Sequence, residues 1–199
     1  MLQQQKTTSL ADLTQNLTRQ FPGIQTPTLD YVERCLASYA ALDPATDLWT
    51  LNQHDHSASR AQDVTNIIKL AQETGFKLGF TITGENPIEW AEPGDALSPV
   101  YRLYTSPTAQ VGTVARLPIP DSCQSVYLFP GSRAGLIKFK IDRDAVLKER
   151  TAQNWHFLKF RTMRHLAVRA DLSRELWTLL IDSDPISLEE TTQLSMFNL

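Results

Sequence analysis

Residues 59–83 read SRAQDVTNIIKLAQETGFKLGFTIT, and the period of their apolar positions changes within this stretch. The first part predicts a helix, because Ser59 and Gln62 have the spacing of a capping box. The apolar residues that follow have the i, i+3, i+4, i+7 spacing of one buried helical face, at Val64, Ile67, Ile68 and Ala71. Gly75 lies where a left-handed residue ends many helices, so we expect the helix to end there.

After Gly75 the period of the apolar positions becomes two. Apolar side chains alternate with polar or small ones at Phe76, Leu78, Phe80 and Ile82. This alternation predicts a strand with one buried face. Residues 84–86 predict a turn, from which residues 88–90 return antiparallel. Further strands are predicted at residues 100–104, 126–129 and 155–161.

Residues 132–141 admit two interpretations, a strand or a helix. Apolar and charged residues alternate over 137–141, so we favour a strand that forms a hairpin with residues 126–129. In the alternative, a helix begins near Ser132. Its free amides together with Arg133 would then form an anion site.

The two ends of the chain predict helices. Residues 10–21 and 27–39 each carry an apolar stripe at helical spacing, and residues 43–47 form a turn after them. The predicted domains are a helical N-terminal segment at 1–47, an α/β core at 48–170 and an acidic helical tail at 171–199. A final helix is expected over residues 187–196. The fold class is α+β, a mixed α/β chain with a small central mixed or antiparallel sheet flanked by helices.

The composition is that of a globular protein. The chain has 199 residues, of which 42% are hydrophobic and 21% are charged. Its apolar runs are only a few residues long, against the roughly 18 needed to cross a bilayer, so we expect no membrane span and no signal peptide. Cys35 and Cys123 match no metal or redox spacing. A reduced, cytoplasmic protein without a cofactor is the expectation.

Positive charge is concentrated near the C-terminal end. Ten of the 19 Lys and Arg residues lie in residues 133–169, where only three residues are acidic, so this basic segment carries about +7 in a chain of net charge −3. The chain on each side of it carries about −5. A clustered positive field attracts polyanions whatever the overall charge.

The basic segment also contains aromatic residues beside its cations. On a strand, Trp155, Phe157, Lys159 and Arg161 would share one face. Rings that stack on bases beside cations that hold phosphates are typical of single-strand binding. The predicted nucleic-acid-binding residues are Arg133, Lys138, Lys140, Arg143, Trp155, Phe157, Lys159, Arg161 and Arg164. In the alternative interpretation the rings are core and the long cationic side chains only cover apolar surface.

In element order, residues 60–161 resemble the restriction-endonuclease-like nucleases. The resemblance implies an acid on one strand and an acid, any residue and a lysine on the next, which together hold a divalent metal and orient water. No Asp or Glu stands two residues before any Lys or Arg of this chain. The resemblance is therefore compatible with a non-catalytic relative, or with a nuclease whose atypical site uses Glu73, Glu89 and Asp95.

The densest metal-capable group is His54, Asp55 and His56. A metal site here would need a further ligand from an unrelated part of the fold. We therefore expect polar surface at these residues and no metal.

We expect a non-catalytic accessory subunit that contacts the backbone of DNA or RNA through the basic segment, together with other protein subunits. The first alternative is the atypical metal-dependent nuclease. The second is a protein interaction module without a nucleic-acid partner, in which Met196, Phe197 and Leu199 of the acidic tail dock on another protein.

Overall fold

A computed structural model of the chain describes residues 7–118, 122–184 and 186. The chain divides into two compact units, Met1–Gln62 and Asp63–Leu199. The described part contains eight α-helices, a three-stranded antiparallel sheet and a five-stranded mixed sheet. The predicted α+β class is confirmed.

The N-terminal unit combines two helices with a small sheet. Helices α1 and α2 cover Leu10–Gln20 and Leu29–Tyr39, as expected from their apolar stripes. Strands β1, β2 and β3 pair antiparallel in the order β1-β3-β2, over Thr7–Thr8, Ala40–Asp43 and Leu48–Leu51. The N-terminal segment that was predicted as helical therefore also contributes strands to a small sheet. Residues 44–47 join two paired strands, and Asp47 adopts a φ of 54° to close that hairpin.

The second unit is built on the five-stranded sheet. Its strands β4 to β8 are Thr81–Thr83, Ile88–Ala91, Pro99–Thr105, Gln124–Phe129 and Trp155–Lys159. They lie in sequence order across the sheet. The pairs β4–β5 and β5–β6 are antiparallel, whereas β6, β7 and β8 are parallel.

Six helices accompany the second sheet. The long helix α3 begins in the N-terminal unit, and the others follow β6, β7 and β8. Helices α3 to α8 are Ser57–Lys77, Val111–Ala115, Ala134–Arg143, Ala145–Thr151, Phe160–Val168 and Arg174–Leu180. The predicted helix at 187–196 lies outside the described residues.

One face of the sheet packs with α3, α7 and α8 into the main apolar core. Trp90 of β5 lies at its centre, with its ring centroid 4.8 Å from that of Trp177 on α8 and 5.6 Å from that of Phe80. Ile67 of α3 and Met163 of α7 are completely buried in the same cluster. Strand β7, in the parallel part of the sheet, is buried on both faces over most of its length, as expected for a strand with a parallel neighbour on each side.

The boundary between α3 and β4 differs from the prediction. The helix continues through Gly75 to Lys77, and the strand begins only at Thr81. Gly75 is needed for packing, because a Cβ there would lie 2.7 Å from Cε2 of Trp90. The left-handed residue after the helix is instead Gly79, at a φ of 80°.

Residues 132–141 are helical, so the favoured strand interpretation is wrong. Strand β7 pairs with β6 and with β8, and both pairs are parallel. Parallel neighbours need a crossover connection, and α5 and α6 provide it between β7 and β8. Ala134, Leu136 and Ile137 are buried in α5, the first helix of that crossover. Strand β8 also ends at Lys159, which places Arg161 on α7 rather than on the predicted strand face.

Candidate nucleic-acid interface

Lys159 lies in the protein interior although it belongs to the basic segment. Its exposed fraction is 1%, and its Nζ donates to Oδ1 of Asp184 at 2.7 Å. The hydroxyl of Thr162 donates to the other carboxylate oxygen at 2.7 Å, and Arg161 approaches the same carboxylate from the surface at 3.3 Å. Lys159 is therefore committed to a buried ion pair and cannot reach a phosphate outside.

The environment of Asp184 favours its charged form. Burial raises the pKa of this carboxyl, but the hydrogen bonds from Lys159 and Thr162 outweigh it, so the net pKa lies below the ordinary value of 3.8. The carboxylate thus balances the lysine that the chain buries beside it.

Arg133 is likewise buried, at 1% exposure. Its side chain donates to the carbonyl of Pro107 at 3.4 Å and to Oγ of Ser132 at 3.2 Å. Lys140 donates to the carbonyl of Ala109 at 2.8 Å. A helix does begin here, as the anion-site alternative required, but the guanidinium points into the protein. Both cations tie α5 to the loop after β6, and we assign them a structural role.

The remaining predicted cations lie on the surface. Lys138 is paired with Asp142 one helical turn away at 2.7 Å, and Arg164 is paired with Asp63. Such exposed pairs contribute only about 0–1 kcal/mol, so a phosphate can replace the carboxylate partner. Arg143 is exposed, and its guanidinium lies 4.1 Å from the ring centre of Phe139.

Two further cations on α6 were not among the predicted binding residues. Lys148 and Arg150 are exposed, and neither has an ion-pair partner among residues 7–118, 122–184 and 186. They belong to the basic segment, so its charge count did include them. What the sequence could not show is that α5 and α6 are consecutive helices of one crossover, which places Lys148 and Lys138 along one cleft.

An open cleft lies between α5, α6, the start of β8 and the chain after α8. Its volume is about 370 Å³. Trp155 and Phe157 line one wall of the cleft. They are alternate residues of β8, so their side chains lie on the same face of the strand. The indole of Trp155 is also stacked on the ring of Tyr104, with the ring centres 5.8 Å apart and the planes 16° from parallel. The charged residues that line the cleft are Lys138, Asp142, Lys148 and Asp182.

The carboxylates of the nuclease alternative are not assembled into a metal site. Glu89 of β5 is bound to Arg102 of β6 at 2.8 Å, and Glu73 lies 3.7 Å from Lys69 on the same helix. Within the part of the chain that the structure describes, no three His, Cys, Asp or Glu side chains lie together in a way that could hold a metal ion.

In the group His54, Asp55 and His56, the aspartate forms an ion pair with Arg60. Asp55 is buried and accepts from Nε of Arg60 at 2.8 Å, while His54 and His56 are exposed. Residue Asp55 therefore stabilises the start of α3 instead of pointing its carboxylate at a shared site.

No family model, curated protein or solved structure matches this chain. Among the described residues, no helix is both long enough and apolar enough to span a membrane.

Proposed function

We propose that this protein is a non-catalytic accessory subunit of a cytoplasmic nucleoprotein complex, and that its C-terminal unit binds the backbone of DNA or RNA. The observation that carries the proposal is a group of exposed cations beside an aromatic-walled cleft. The group consists of Lys138 and Lys148, which line the cleft, and of Arg143 and Arg150, which are exposed on the same two helices. Lys138 and Lys148 line the same cleft and therefore face a ligand there together. Phosphate contacts supply most of the affinity of non-specific nucleic-acid binding.

The N-terminal unit is a less suitable nucleic-acid surface. Its two helices and hairpin follow the order of a helix-turn-helix with an added hairpin, and such motifs can place their second helix in the major groove. Here that helix carries Asp30 and Glu33, and its Arg34 is paired with Asp30 at 2.9 Å. The turn of the hairpin adds Asp43 and Asp47. These carboxylates would repel phosphates, so we assign nucleic-acid contact to the C-terminal unit.

The nuclease alternative has less support. Arg102 holds the carboxylate of Glu89 at 2.8 Å, where a metal-dependent site would need an uncommitted acid. We keep the measurement of Mg²⁺-dependent cleavage as a control in every binding experiment, because cleavage abolished by Glu89→Gln would restore this alternative.

The binding proposal is tested by reversing one charge at the cleft. We expect Lys148→Glu to lower affinity for a fluorescent 15-nucleotide strand by about three- to tenfold at low salt, because one favourable phosphate contact becomes repulsive. The matched control is Lys69→Glu, an equally large charge change on a helix outside the basic segment, whose side chain is 74% exposed. Equal losses in both variants would show a general charge effect and contradict the proposed surface.

A protein interaction module is the second candidate. Several large apolar side chains of the C-terminal unit stand in solvent, among them Val168 at 78% and Leu179 at 72% exposure. Exposed apolar residues indicate contact with another polypeptide where they form one contiguous patch. If Val168→Ser with Leu179→Ser removes a co-purifying protein while nucleic-acid binding is absent in wild type, this candidate replaces the first.

A further inference from the structure

We propose that the cleft walled by Trp155 and Phe157 receives one unpaired base, so that the protein selects single-stranded over duplex nucleic acid. This inference rests on the proposed function, because it names which form of the polymer the same surface binds. It adds a contact to the base, whereas the proposed function requires contacts to phosphates alone.

The size of the cleft limits its occupant. Its volume of about 370 Å³ lies near the lower end of the range for small-ligand pockets, which is about 300–1,000 Å³. One nucleotide fits this space, whereas a base pair joined to its neighbours on a rigid duplex could not enter it. A base must therefore leave the stack, which an unpaired strand allows at little cost.

The aromatic wall is held in place before any ligand arrives. The ring of Trp155 contacts two neighbouring rings, those of Tyr104 at 5.8 Å and Phe157 at 6.4 Å between ring centres. Its side chain and that of Phe157 are only partly buried, so ring atoms remain available in the cleft. A ring that is already fixed loses little conformational entropy when a base packs against it.

The cleft offers charge of both signs, from two cations and two carboxylates, which are Lys138, Lys148, Asp142 and Asp182. Lys148 is exposed, at the cleft, and suits a phosphate. Asp182 also lines the cleft, and its carboxylate is fixed by Nδ1 of His156 at 2.7 Å. A carboxylate repels phosphate but accepts hydrogen bonds from the amino group of a base, as acidic side chains accept from the amino group of cytosine. We therefore expect cytosine in the cleft in preference to thymine, which has no exocyclic amino group.

The first test compares an ordinary 15-nucleotide dC strand with a strand of the same length whose residues are abasic. Both present the same phosphates, and only the first presents bases. We expect wild type to bind the dC strand at least about fivefold more tightly than the abasic strand, the factor that stacking of one base supplies. Trp155→Leu should bring the two affinities together, whereas Lys148→Glu should weaken both.

Failures of the two proposals differ in this test. Equal, salt-sensitive affinity of wild type for both strands overturns the base-binding cleft and leaves backbone binding intact. Absence of binding to either strand overturns both. Because the comparison is made on wild type, it does not depend on whether Trp155→Leu folds.

A second variant examines the polar side of the cleft. The side chain of Asp182 is 64% exposed, so Asp182→Asn should fold normally. We expect wild type to prefer dC over dT strands by at least about threefold, and Asp182→Asn to lose most of this preference, since a neutral amide is a weaker acceptor. An unchanged preference in the variant contradicts the assignment of Asp182.

Discussion

Lys159 belongs to the most basic part of the sequence and is nevertheless one of the largest fully buried side chains. Its partner Asp184 is 25 residues away in sequence and accepts hydrogen bonds from Lys159, Arg161 and Thr162. No local pattern in the sequence indicates this pair, since a strand lysine next to aromatic residues looks like a binding residue until its partner is known. At the residue scale, part of the basic segment therefore stabilises the protein itself.

The buried pair predicts a large effect of Asp184→Asn. Removing the carboxylate leaves the ammonium of Lys159 buried without a counter-charge, so we expect the free energy of unfolding to fall by about 3–5 kcal/mol. Urea denaturation followed by circular dichroism measures it. Asp182→Asn, two residues away on an exposed side chain, serves as the control and should cost less than about 1 kcal/mol.

The lowered pKa of Asp184 predicts a defined pH dependence. A carboxyl whose folded pKa is depressed contributes stability that is complete above its unfolded pKa and is lost as the pH falls through the folded pKa. This contribution should therefore be present at neutral pH and disappear below the ordinary value of 3.8. Unfolding experiments from pH 7 to pH 2 should show the difference between wild type and Asp184→Asn shrinking below that pH. A difference that is constant over the whole range would refute the ion pair.

At the scale of secondary-structure elements, the sequence predicted those elements whose pattern has one interpretation. Helices α1 and α2 and strands β5 to β7 follow their apolar periodicity, with turns at their ends. The prediction of a strand over the whole of residues 76–83 was wrong. Leu78 and Phe80 lie between the end of α3 and the start of β4 and both enter the core, so their spacing of two residues resembles the alternation of a strand. The strand prediction for the residues of α5 was wrong because their short apolar pattern is compatible with the period of a strand and with that of a helix. Only the parallel pairing of β7 and β8 decides between the two.

Two glycines on helices test these assignments in opposite directions. Gly135 lies in α5 with open space around its Cα, so Gly135→Ala should stabilise the protein by about 0.5–1 kcal/mol through helix propensity. Gly75 lies in α3 against Ile82 and the indole of Trp90, so Gly75→Ala should destabilise it by about 1–3 kcal/mol. Thermal unfolding of both variants measures the difference. Destabilisation by Gly135→Ala would argue for a strand at this position.

At the scale of the whole molecule, the cations of the basic segment have two different roles. Some make contacts inside the protein, and others are exposed on its surface. Arg133, Lys140 and Lys159 hold elements together, while the exposed Lys138 of α5 and Lys148 of α6 line the cleft. The sequence located the segment and both aromatic residues of the cleft wall. The sequence could not show which cations are buried and which are exposed. That depends on the crossover helix α5 and on the carboxylate of Asp184, which lies 25 residues after Lys159.

The most direct test of nucleic-acid backbone binding is the salt dependence of the affinity of wild-type protein for a 15-nucleotide strand. If three or four of the exposed cations of α5 and α6 contact phosphates, the logarithm of the association constant should fall linearly with the logarithm of salt concentration, with a slope of about −2 to −3. Lys148→Glu should make this slope shallower by about 1. No binding at low salt, or an affinity that does not change with salt, would contradict nucleic-acid backbone binding by this protein.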